Sequence, residues 1–579
     1  MSVEQLITAH LDIWTAADTE KKSGRGRSSG NGGSVYGIKK LRELILELAV
    51  RGKLVPQDES DEPASELLKK IAAEKAKLVA EGKIKKTKLL AEITDDEKPF
   101  ELPRDWEWVR LGDTGTIFNG NSINENEKTE KYTNLKSGYP FIATKDVGYG
   151  RDKLDYQNGV LIPFANDSFK IAHIGAVLIC SEGGSSGKKI GITEMDICFG
   201  NKLYANETWL GFVPRFIFYI YQSPYFFKSF SERMTGIIGG ISINQFLTIP
   251  ISIPSESEQN RIVAKVDELM ALCDQIENQH NNAAEAHEKL VTHLLGTLIQ
   301  SQNAEDFNIN WQRISEHFDT LFTTEASIDV LKKILLQLAV MGKLVPQDPN
   351  DEPASELLNK IDTGKLKSIK LQLEINDQEK PFELPRGWEW VNFGSVSEIE
   401  RGGSPRPIKS FFTTDEDGLN WIKIGDTDQG GKYITSTNEK IKKEGLSKTR
   451  MVYPGDFLLT NSMSFGRPYI TKIEGCIHDG WLRISPPEAL DKDYLYNLLS
   501  SPYVRSVFIA AAAGAVVMNL NADKVRDLLI PVPPIVEQHR IVSRIDELMA
   551  ICNQLKSQIT SANHLQQKLA DVIVEQAIN

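Results

Sequence analysis

The sequence predicts an α/β protein in which two pseudo-symmetric α/β domains are separated by long antiparallel coiled-coil helices. Two observations lead to this prediction. Several segments of the chain occur twice in the same order, and one of them places apolar residues at the heptad spacing of a coiled coil. The chain has 579 residues, about four times the ~150 residues of a typical domain, so several domains are expected.

Internal repetition is the strongest signal in the chain. The first repeated segment is identical at 19 of 23 positions, the second differs at one position, and the third is identical at 12 of 19 positions. Identity at this level is not a chance event, so one arrangement occurs twice. The pairs are 48–70 with 338–360, 97–109 with 379–391, and 258–276 with 537–555.

Two stretches of similar length, 104–254 and 386–533, lie between the second and third repeated segments and differ much more from each other. Short apolar runs such as 175–180 and 455–460 are bounded by glycine-rich turns, a pattern typical of strands. We therefore expect one α/β fold to occur twice, with two different surfaces.

The third repeated segment is predicted to be helical. Its apolar residues are spaced 4-3-4-3, which predicts a coiled-coil seam that sets a spacing and supports partner docking. A single helix over 256–298 would be about 65 Å long. Helices predicted at 38–50 and 328–340 would pair with the long helices as an antiparallel bundle. The seam residues are Ile262, Val266, Leu269, Cys273, Ile276, Ile541, Ile545, Leu548, Cys552 and Leu555.

These patterns divide the chain into six regions. The stretch 21–34 is rich in Gly, Ser and basic residues, which is typical of a flexible linker. The predicted regions are an N-terminal extension and flexible linker at 1–35, a helical repeat region at 36–103, a variable domain at 104–254, a spacer helix with a second helical repeat region at 255–385, a variable domain at 386–533, and a C-terminal spacer helix at 534–579.

Motifs for catalysis are absent from the sequence. The stretch 183–189 is one residue short of a phosphate-binding loop, and Lys189 stands where that loop needs a hydroxyl, so a DNA-facing basic turn is the better interpretation. We find no methyltransferase tetrapeptide, no informative Ser/His/Asp spacing and no metal-ligand spacing. The sequence therefore predicts a chain that is not an enzyme and holds no metal or cofactor.

Cysteine usage and hydropathy indicate the compartment. The five cysteines stand singly in largely apolar surroundings, which favours buried free thiols in a reducing cytoplasm. No apolar run approaches the ~20 residues of a membrane helix, so no membrane partner is expected.

The net charge of −12 argues at first against a nucleic-acid partner. However, 104–254 holds 15 acidic and 15 basic residues and 386–533 holds 18 of each, so all the excess acid lies in the helices and connectors. A neutral domain can still present a basic face to DNA. The candidate DNA-binding residues, taken from loops and strand ends, are Asn121, Ser122, Lys145, Arg151, Lys188, Lys189, Lys202, Arg401, Ser404, Arg406, Lys423, Lys442, Lys443 and Arg467.

The repeated motifs LAVxGKLVPQ, WEWV and EQxRIV followed by DELM resemble those of the specificity (S) subunits of type I restriction-modification systems, and most closely the A-type (type IB) family. The resemblance implies that each variable stretch is a target recognition domain that reads one half of a split, asymmetric target in double-stranded DNA. It also implies that the helices set the spacing and dock two modification subunits.

The same resemblance implies where the chemistry of the complex resides. S-adenosylmethionine, ATP and magnesium would be bound by other subunits, and two restriction subunits would complete the complex. The alternative is a protein-binding helical scaffold without direct DNA readout.

Overall fold

The computed structural model describes residues 3–16, 35–82, 90–133, 135–236, 239–302, 304–360, 375–427, 430–461, 465–485, 487–512 and 520–578. The chain divides into two units, Met1–Ala283 with Ala562–Asn579, and Ala284–Ser561. The predicted linker 21–34 lies outside the described residues. The predicted extension ahead of it forms two short helices, and Trp14 of the second helix is buried in the core of the first unit.

The first unit combines helices with two four-stranded sheets, one antiparallel and one mixed. Its helices are α1 (Val3–Ala9), α2 (Leu11–Ala16), α3 (Tyr36–Val50), α4 (Ala64–Ala80), α5 (Glu125–Glu127), α6 (Pro214–Gln222), α7 (Pro224–Glu232), α8 (Ile243–Leu247) and the first part of α9 (Glu256–Gln300). Its strands are β1 (Glu107–Arg110), β2 (Gly115–Asn119), β3 (Tyr139–Ile142), β4 (Leu161–Ile162), β5 (Ile171–Ala172), β6 (Val177–Cys180), β7 (Ile190–Ile192), β8 (Ile197–Phe199), β9 (Leu203–Thr208) and β10 (Pro250–Ile253).

The second unit also combines helices with sheets. Its helices are the rest of α9, α10 (Ala304–Glu316), α11 (Phe318–Leu321), α12 (Glu325–Val340), α13 (Ala354–Asn359), α14 (Phe393–Val396), α15 (Lys492–Leu499), α16 (Pro502–Ala512), α17 (Ala522–Arg526) and most of α18 (Ile535–Ile578). Its strands are β11 (Glu389–Asn392), β12 (Ile399–Arg401), β13 (Phe412–Thr413), β14 (Leu419–Ile422), β15 (Tyr433–Ile434), β16 (Glu439–Ile441), β17 (Arg450–Val452), β18 (Phe457–Thr460), β19 (Pro468–Thr471), β20 (Gly475–Ile477), β21 (Trp481–Ile484) and β22 (Leu529–Val532).

The sheets of the two variable domains share one topology. The order β2-β9-β6-β7 of the first domain corresponds to β12-β21-β18-β19 of the second, and β4-β3-β8-β5 corresponds to β16-β14-β20-β17. The second domain adds the edge strands β13 and β15. The parallel pair at the centre keeps its register, because Phe141 pairs with Cys198 as Trp421 pairs with Cys476. The prediction of one α/β fold occurring twice is confirmed.

Each variable domain begins and ends in a two-stranded antiparallel pair. Strand β1 of the repeated WEWV motif pairs with β10 directly before α9, and β11 pairs with β22 directly before α18. The start of the domain is thereby held beside its exit into the long helix.

The helices of the first unit form an antiparallel bundle. The amide of Val35, just before α3, donates to Glu277 near the far end of this part of α9 (3.3 Å). The end of α18 runs parallel to α3, since Tyr36 donates to Asp571 (2.8 Å) and Lys53 donates to the carbonyl of Ile578 (2.7 Å). The end of α18 is therefore antiparallel to the first part of α9.

The second unit builds an equivalent bundle with inverted charges. Lys556 of α18 lies 2.8 Å from Asp329 of α12. In the first unit the position equivalent to Lys556 holds Glu277, which pairs with Arg42 of α3 at 2.7 Å. The two bundles therefore share a helix arrangement but differ in the sign of this contact.

The five cysteines are buried and free of disulfides, as predicted. Burial raises the pKa of the Cys198 and Cys273 thiols to about 12, so these thiols stay protonated at neutral pH. Within the described ranges, no helix combines the length and apolar character that crossing a membrane requires.

Candidate nucleic-acid interface

The same buried contact fixes each variable domain to its long helix. The indole Nε1 of Trp106 donates to Glu258, and that of Trp388 donates to Glu537, each over 3.0 Å. In each unit a glutamine from the first repeated segment donates to the other carboxylate oxygen. Burial raises the pKa of both carboxyl groups. The repeated tryptophan and glutamate are buried within their units and hold the domain in place.

The glutamine that follows each buried glutamate makes a second fixed contact. Gln259 accepts the amide hydrogen of Val213 at the start of α6 (2.9 Å), and Gln538 accepts that of Asp491 ahead of α15 (2.7 Å). Each glutamine also donates to backbone carbonyls within its unit. The repeated EQxR motif therefore positions the variable domain on the helix.

Loops meet at the carboxyl end of the central parallel strand pair in each domain. The carbonyl of Phe199, which ends β8, accepts from Asn121 (2.8 Å), and the carbonyl of Ile477, which ends β20, accepts from Gly403 (3.2 Å). We call the loops around these points the reading surfaces. The first reading surface comprises 119–122, 142–152, 182–189 and 199–202, and the second comprises 401–409, 423–427, 465–467 and 477–480.

On the first reading surface, Asn121 is committed to the fold. Its Nδ2 donates to the carbonyl of Ser168 (3.0 Å), and its Oδ1 accepts from the amide of Lys170 (2.8 Å). We therefore no longer expect Asn121 to read a base, whereas the neighbouring Ser122 is exposed.

Two basic candidates of this surface have partners within the unit. Lys189 donates to the carbonyl of Thr144 over 3.0 Å, and Arg151 forms an ion pair with Asp274 of α9 at 3.0 Å. Sequence spacing alone does not reveal these partners, because each comes from a distant segment. Both side chains contribute to the architecture of the domain before any contact with DNA.

The remaining basic candidates of the first surface, Lys145, Lys188 and Lys202, are exposed. Beside them lies Tyr149, an exposed aromatic residue whose hydroxyl is 3.2 Å from Ser185 and whose ring lies under Lys189. Tyr149 is not among the residues predicted from the sequence. A tyrosine between two glycines and close to basic residues is the sequence signal that points to it.

The second reading surface converges on Asp479. Its carboxylate accepts from the hydroxyl of Ser404 (2.7 Å) and lies 3.5 Å from the guanidinium of Arg406. Its backbone carbonyl accepts from Arg401 (3.2 Å) and from Asn461 (2.7 Å). The structure thus brings together three predicted residues around an aspartate that sequence reasoning missed.

The other candidates of the second domain differ in their surroundings. Lys423 and Lys443 are each paired with a carboxylate at 2.9 Å. Lys442 and Arg467 are exposed. A cleft of about 960 Å³ opens beside Asp479, with Trp421 in its apolar wall and Arg406 and Lys423 among its lining residues.

Comparison with known proteins identifies the family. The family model "Type I restriction modification DNA specificity domain" matches residues 103–286 and 385–562, so it covers both copies. The chain belongs to the specificity subunits of type I restriction-modification systems. As a specificity subunit it is not itself the enzyme, which confirms the prediction made from its motifs.

Two relatives match over their whole length. The type I restriction enzyme EcoEI specificity subunit and the EcoAI specificity subunit, both from Escherichia coli, are each 39% identical to this chain, with 100% of both chains covered. A chain from the solved structure "Structural basis underlying complex assembly and conformational transition of the type I R-M system" shares the fold, with a TM-score of 0.50 and 18% identity over 83% of this chain and 99% of that chain. The resemblance to the type IB family is confirmed.

The seam residues of this specificity subunit lie inside its helical bundles. Those of α9 are buried in the core of the first unit, and on α18 Leu548 and Leu555 are partly buried while the others are buried. Buried side chains cannot also contact another subunit. The buried seam residues therefore hold the bundle, and of the seam only the partly buried Leu548 and Leu555 keep surface that a partner could contact. The seam residues are Ile262, Val266, Leu269, Cys273, Ile276, Ile541, Ile545, Leu548, Cys552 and Leu555.

Over the part of the specificity subunit that the structure describes, no group of three or more His, Cys, Asp or Glu side chains is arranged to hold a metal ion.

Proposed function

We propose that each variable domain reads one half of a split, asymmetric DNA target, within a complex that also contains two modification subunits and two restriction subunits. One observation carries the proposal. The two domains share their strand register and their anchors on the long helices, but they place different side chains at equivalent loop positions. Equal scaffolds with unequal loops suit the reading of two different half-sites.

Within this proposal, the exposed basic residues supply affinity and a smaller set supplies sequence discrimination. Lys145, Lys188 and Lys202 in the first domain, with Lys442 and Arg467 in the second, would contact phosphates. The side chains around Asp479 would contact base edges. Since both variable domains are neutral overall, DNA affinity of this subunit alone should be weak and completed by basic surfaces of its partners.

The chemistry would come from the partner subunits. We propose that the modification subunits carry S-adenosylmethionine and methylate adenine, and that the restriction subunits carry ATP and magnesium. The complex would act in the cytoplasm, where its DNA substrate is found.

An exposed apolar stripe on α18 is the proposed docking position for a modification subunit. Leu565, Leu569 and Val572 follow a 4-3 spacing and are 61%, 49% and 45% exposed. The residue of α9 equivalent to Leu569 is Leu290, which is also 49% exposed. A helix face with exposed leucines at this spacing is suited to pack against another helix.

Domain exchange tests the proposal. Residues 104–254 are replaced by the equivalent domain of a relative with a different target, and the assembled complex is allowed to methylate genomic DNA. Sequencing of the methylated adenines should show that one half of the target has changed while the other half and the spacing are retained. The reciprocal exchange of 386–533 is the matched control and should change the other half.

A change in both halves after a single exchange would contradict the assignment of one domain to one half-site. The protein-binding scaffold would be supported instead if this subunit assembles with its partner subunits but the assembled complex gives no sequence-specific shift of DNA in a gel.

A further inference from the structure

Asp479 occupies a distinctive position on the second reading surface. It lies two residues beyond the end of β20 and joins its own loop to two other parts of the domain. Ser404 and Arg401 come from the loop and strand end after β12, and Asn461 follows β18. The backbone amide of Asp479 also faces the Ser404 hydroxyl at 3.4 Å. One residue therefore fixes the relative positions of these loops.

Among the described residues of the first domain, no side chain makes a contact equivalent to that of Asp479 with Ser404. Because Cys198 and Cys476 occupy the same register position, Asn201 corresponds to Asp479. Asn201 is exposed, and its amide donates to the backbone carbonyl of Asn121 (3.1 Å). The two domains have the same strand register at this point, so the change from Asn201 to Asp479 alters the chemistry of the surface.

The charge of Asp479 is available at the surface. The Ser404 hydrogen bond lowers the pKa of the Asp479 carboxyl, which keeps it ionised at neutral pH. The side chain of Asp479 is 45% exposed, and that of Arg406 is 81% exposed. The guanidinium is thus held near the carboxylate while most of its surface still faces solvent.

We propose that Asp479 is the positioning residue that determines how the second domain reads its half-site, by orienting Ser404 and Arg406 toward the base edges. This inference rests on the proposed function and adds to it the residue that sets specificity. A guanidinium pairs with the O6 and N7 of guanine in the major groove, so its orientation decides which base pair is accepted.

The test replaces Asp479 by the residue of the first domain, Asp479→Asn. Asparagine retains the size of the side chain and an acceptor for Ser404 but loses the charge that attracts Arg406. Sequencing of adenines methylated by the assembled complex should show about tenfold weaker discrimination at one position of the second half-site. The first half-site and the thermal midpoint of the complex should be unchanged, which separates positioning from a general loss of structure.

Three further variants and a control make the result decisive. Ser404→Ala leaves the carboxylate intact and should relax the same base position. Arg406→Ala should also relax that position, and the double variant with Asp479→Asn should be no weaker than Arg406→Ala alone, because both act through one contact. Asp523→Asn, which removes an exposed aspartate paired with Arg526 in the same domain, is the matched control and should leave the target unchanged.

Unchanged discrimination in Asp479→Asn and Ser404→Ala, with a wild-type complex that modifies a split target, would overturn this inference and leave the proposed function intact. Additive losses in the double variant would also overturn it. If the wild-type complex itself modified DNA without a split target, the proposed function would fail.

Discussion

Between the two units, the anchors of the variable domains are alike and the reading surfaces differ. The Trp106–Glu258 and Trp388–Glu537 contacts are equal in chemistry and length. The loops after β8 and β20 start from the same strand register but carry Gly200-Asn201 in one domain and His478-Asp479 in the other. The anchoring residues are retained between the copies, whereas the residues that follow β8 and β20 at the proposed DNA surface are not.

This difference teaches how an internal duplication can be interpreted. A residue identical in both copies serves a structural requirement that both copies share. A residue that differs at an equivalent backbone position is free to encode what distinguishes the copies. The functional residues of such a protein are therefore to be sought at equivalent positions with unequal side chains.

The largest effect is expected from a charge in the seam of α9. Leu269 is 1% exposed in the core of the first unit. Leu269→Asp would bury an unpaired carboxylate, so we expect the free energy of unfolding to fall by about 4 kcal/mol, measured by chemical denaturation. The matched variant at the equivalent position, Leu548→Asp, should cost clearly less because Leu548 is only partly buried. Equal losses would show that the two seams are packed alike.

A smaller effect is expected on assembly from the outer face of α18. Leu565→Ser combined with Leu569→Ser removes exposed apolar surface, so the free subunit should keep its stability. Binding of the modification subunit should weaken by about 100-fold, measured by isothermal titration calorimetry. Ile174→Ser, an equally exposed apolar residue in the first variable domain, should leave this binding unchanged. Full binding by the double variant would remove the stripe from the docking surface.

The anchors allow a direct comparison of the two units. Trp106→Phe and Trp388→Phe each remove the indole donor to a buried carboxylate. We expect each to lower the free energy of unfolding by about 2 kcal/mol, since the acceptor is left one donor short. Urea denaturation of both variants would check this, with Trp311→Phe, a partly exposed residue of α10, as the control. Clearly unequal losses would contradict the equivalence of the anchors.

The smallest effect distinguishes two adjacent lysines. Lys188 is exposed, whereas Lys189 donates to the carbonyl of Thr144. Lys188→Ala should weaken DNA binding by the assembled complex and lower the slope of its salt dependence by about 1. Lys189→Ala should change that slope less, because its ammonium already has a partner. An unchanged slope in both variants, measured by fluorescence anisotropy over a salt series, would remove this loop from the DNA interface.

Much of the fold could be predicted from the sequence, because repetition and heptad spacing are local properties of the chain. The helical nature of 258–276 and the duplicated α/β domain followed from these patterns. The partner of Gln259 could not be predicted, since Val213 lies in a divergent segment with no matching pattern. The packing of the seam against the helices near 38–50 and 328–340 was also predicted, whereas the place of the end of α18 beside α3 was not, because heptad spacing does not reveal every helix that covers a seam.

The reading surfaces were predicted less well for a related reason. A basic residue in a loop has the same sequence signal whether it is exposed, as Lys188 is, or bound within the domain, as Arg151 is. Basic and uncharged polar residues in loops are the sequence signal of a DNA-facing surface, and an acidic residue carries no such signal. Asp479 was missed for this reason.

The inverted charge contact of the two bundles has a consequence for folding. Helices built from repeated segments invite mispairing, in which α3 would take the part of α18 that belongs with α12. Such a pairing would bring Lys39, which occupies the position of Asp329, toward Lys556, two like charges, whereas the native pairs Arg42–Glu277 and Asp329–Lys556 join opposite charges. A penalty against the wrong partner favours correct sorting of repeated elements while the chain folds. These two charge pairs thus help a duplicated chain to distinguish its first copy from its second.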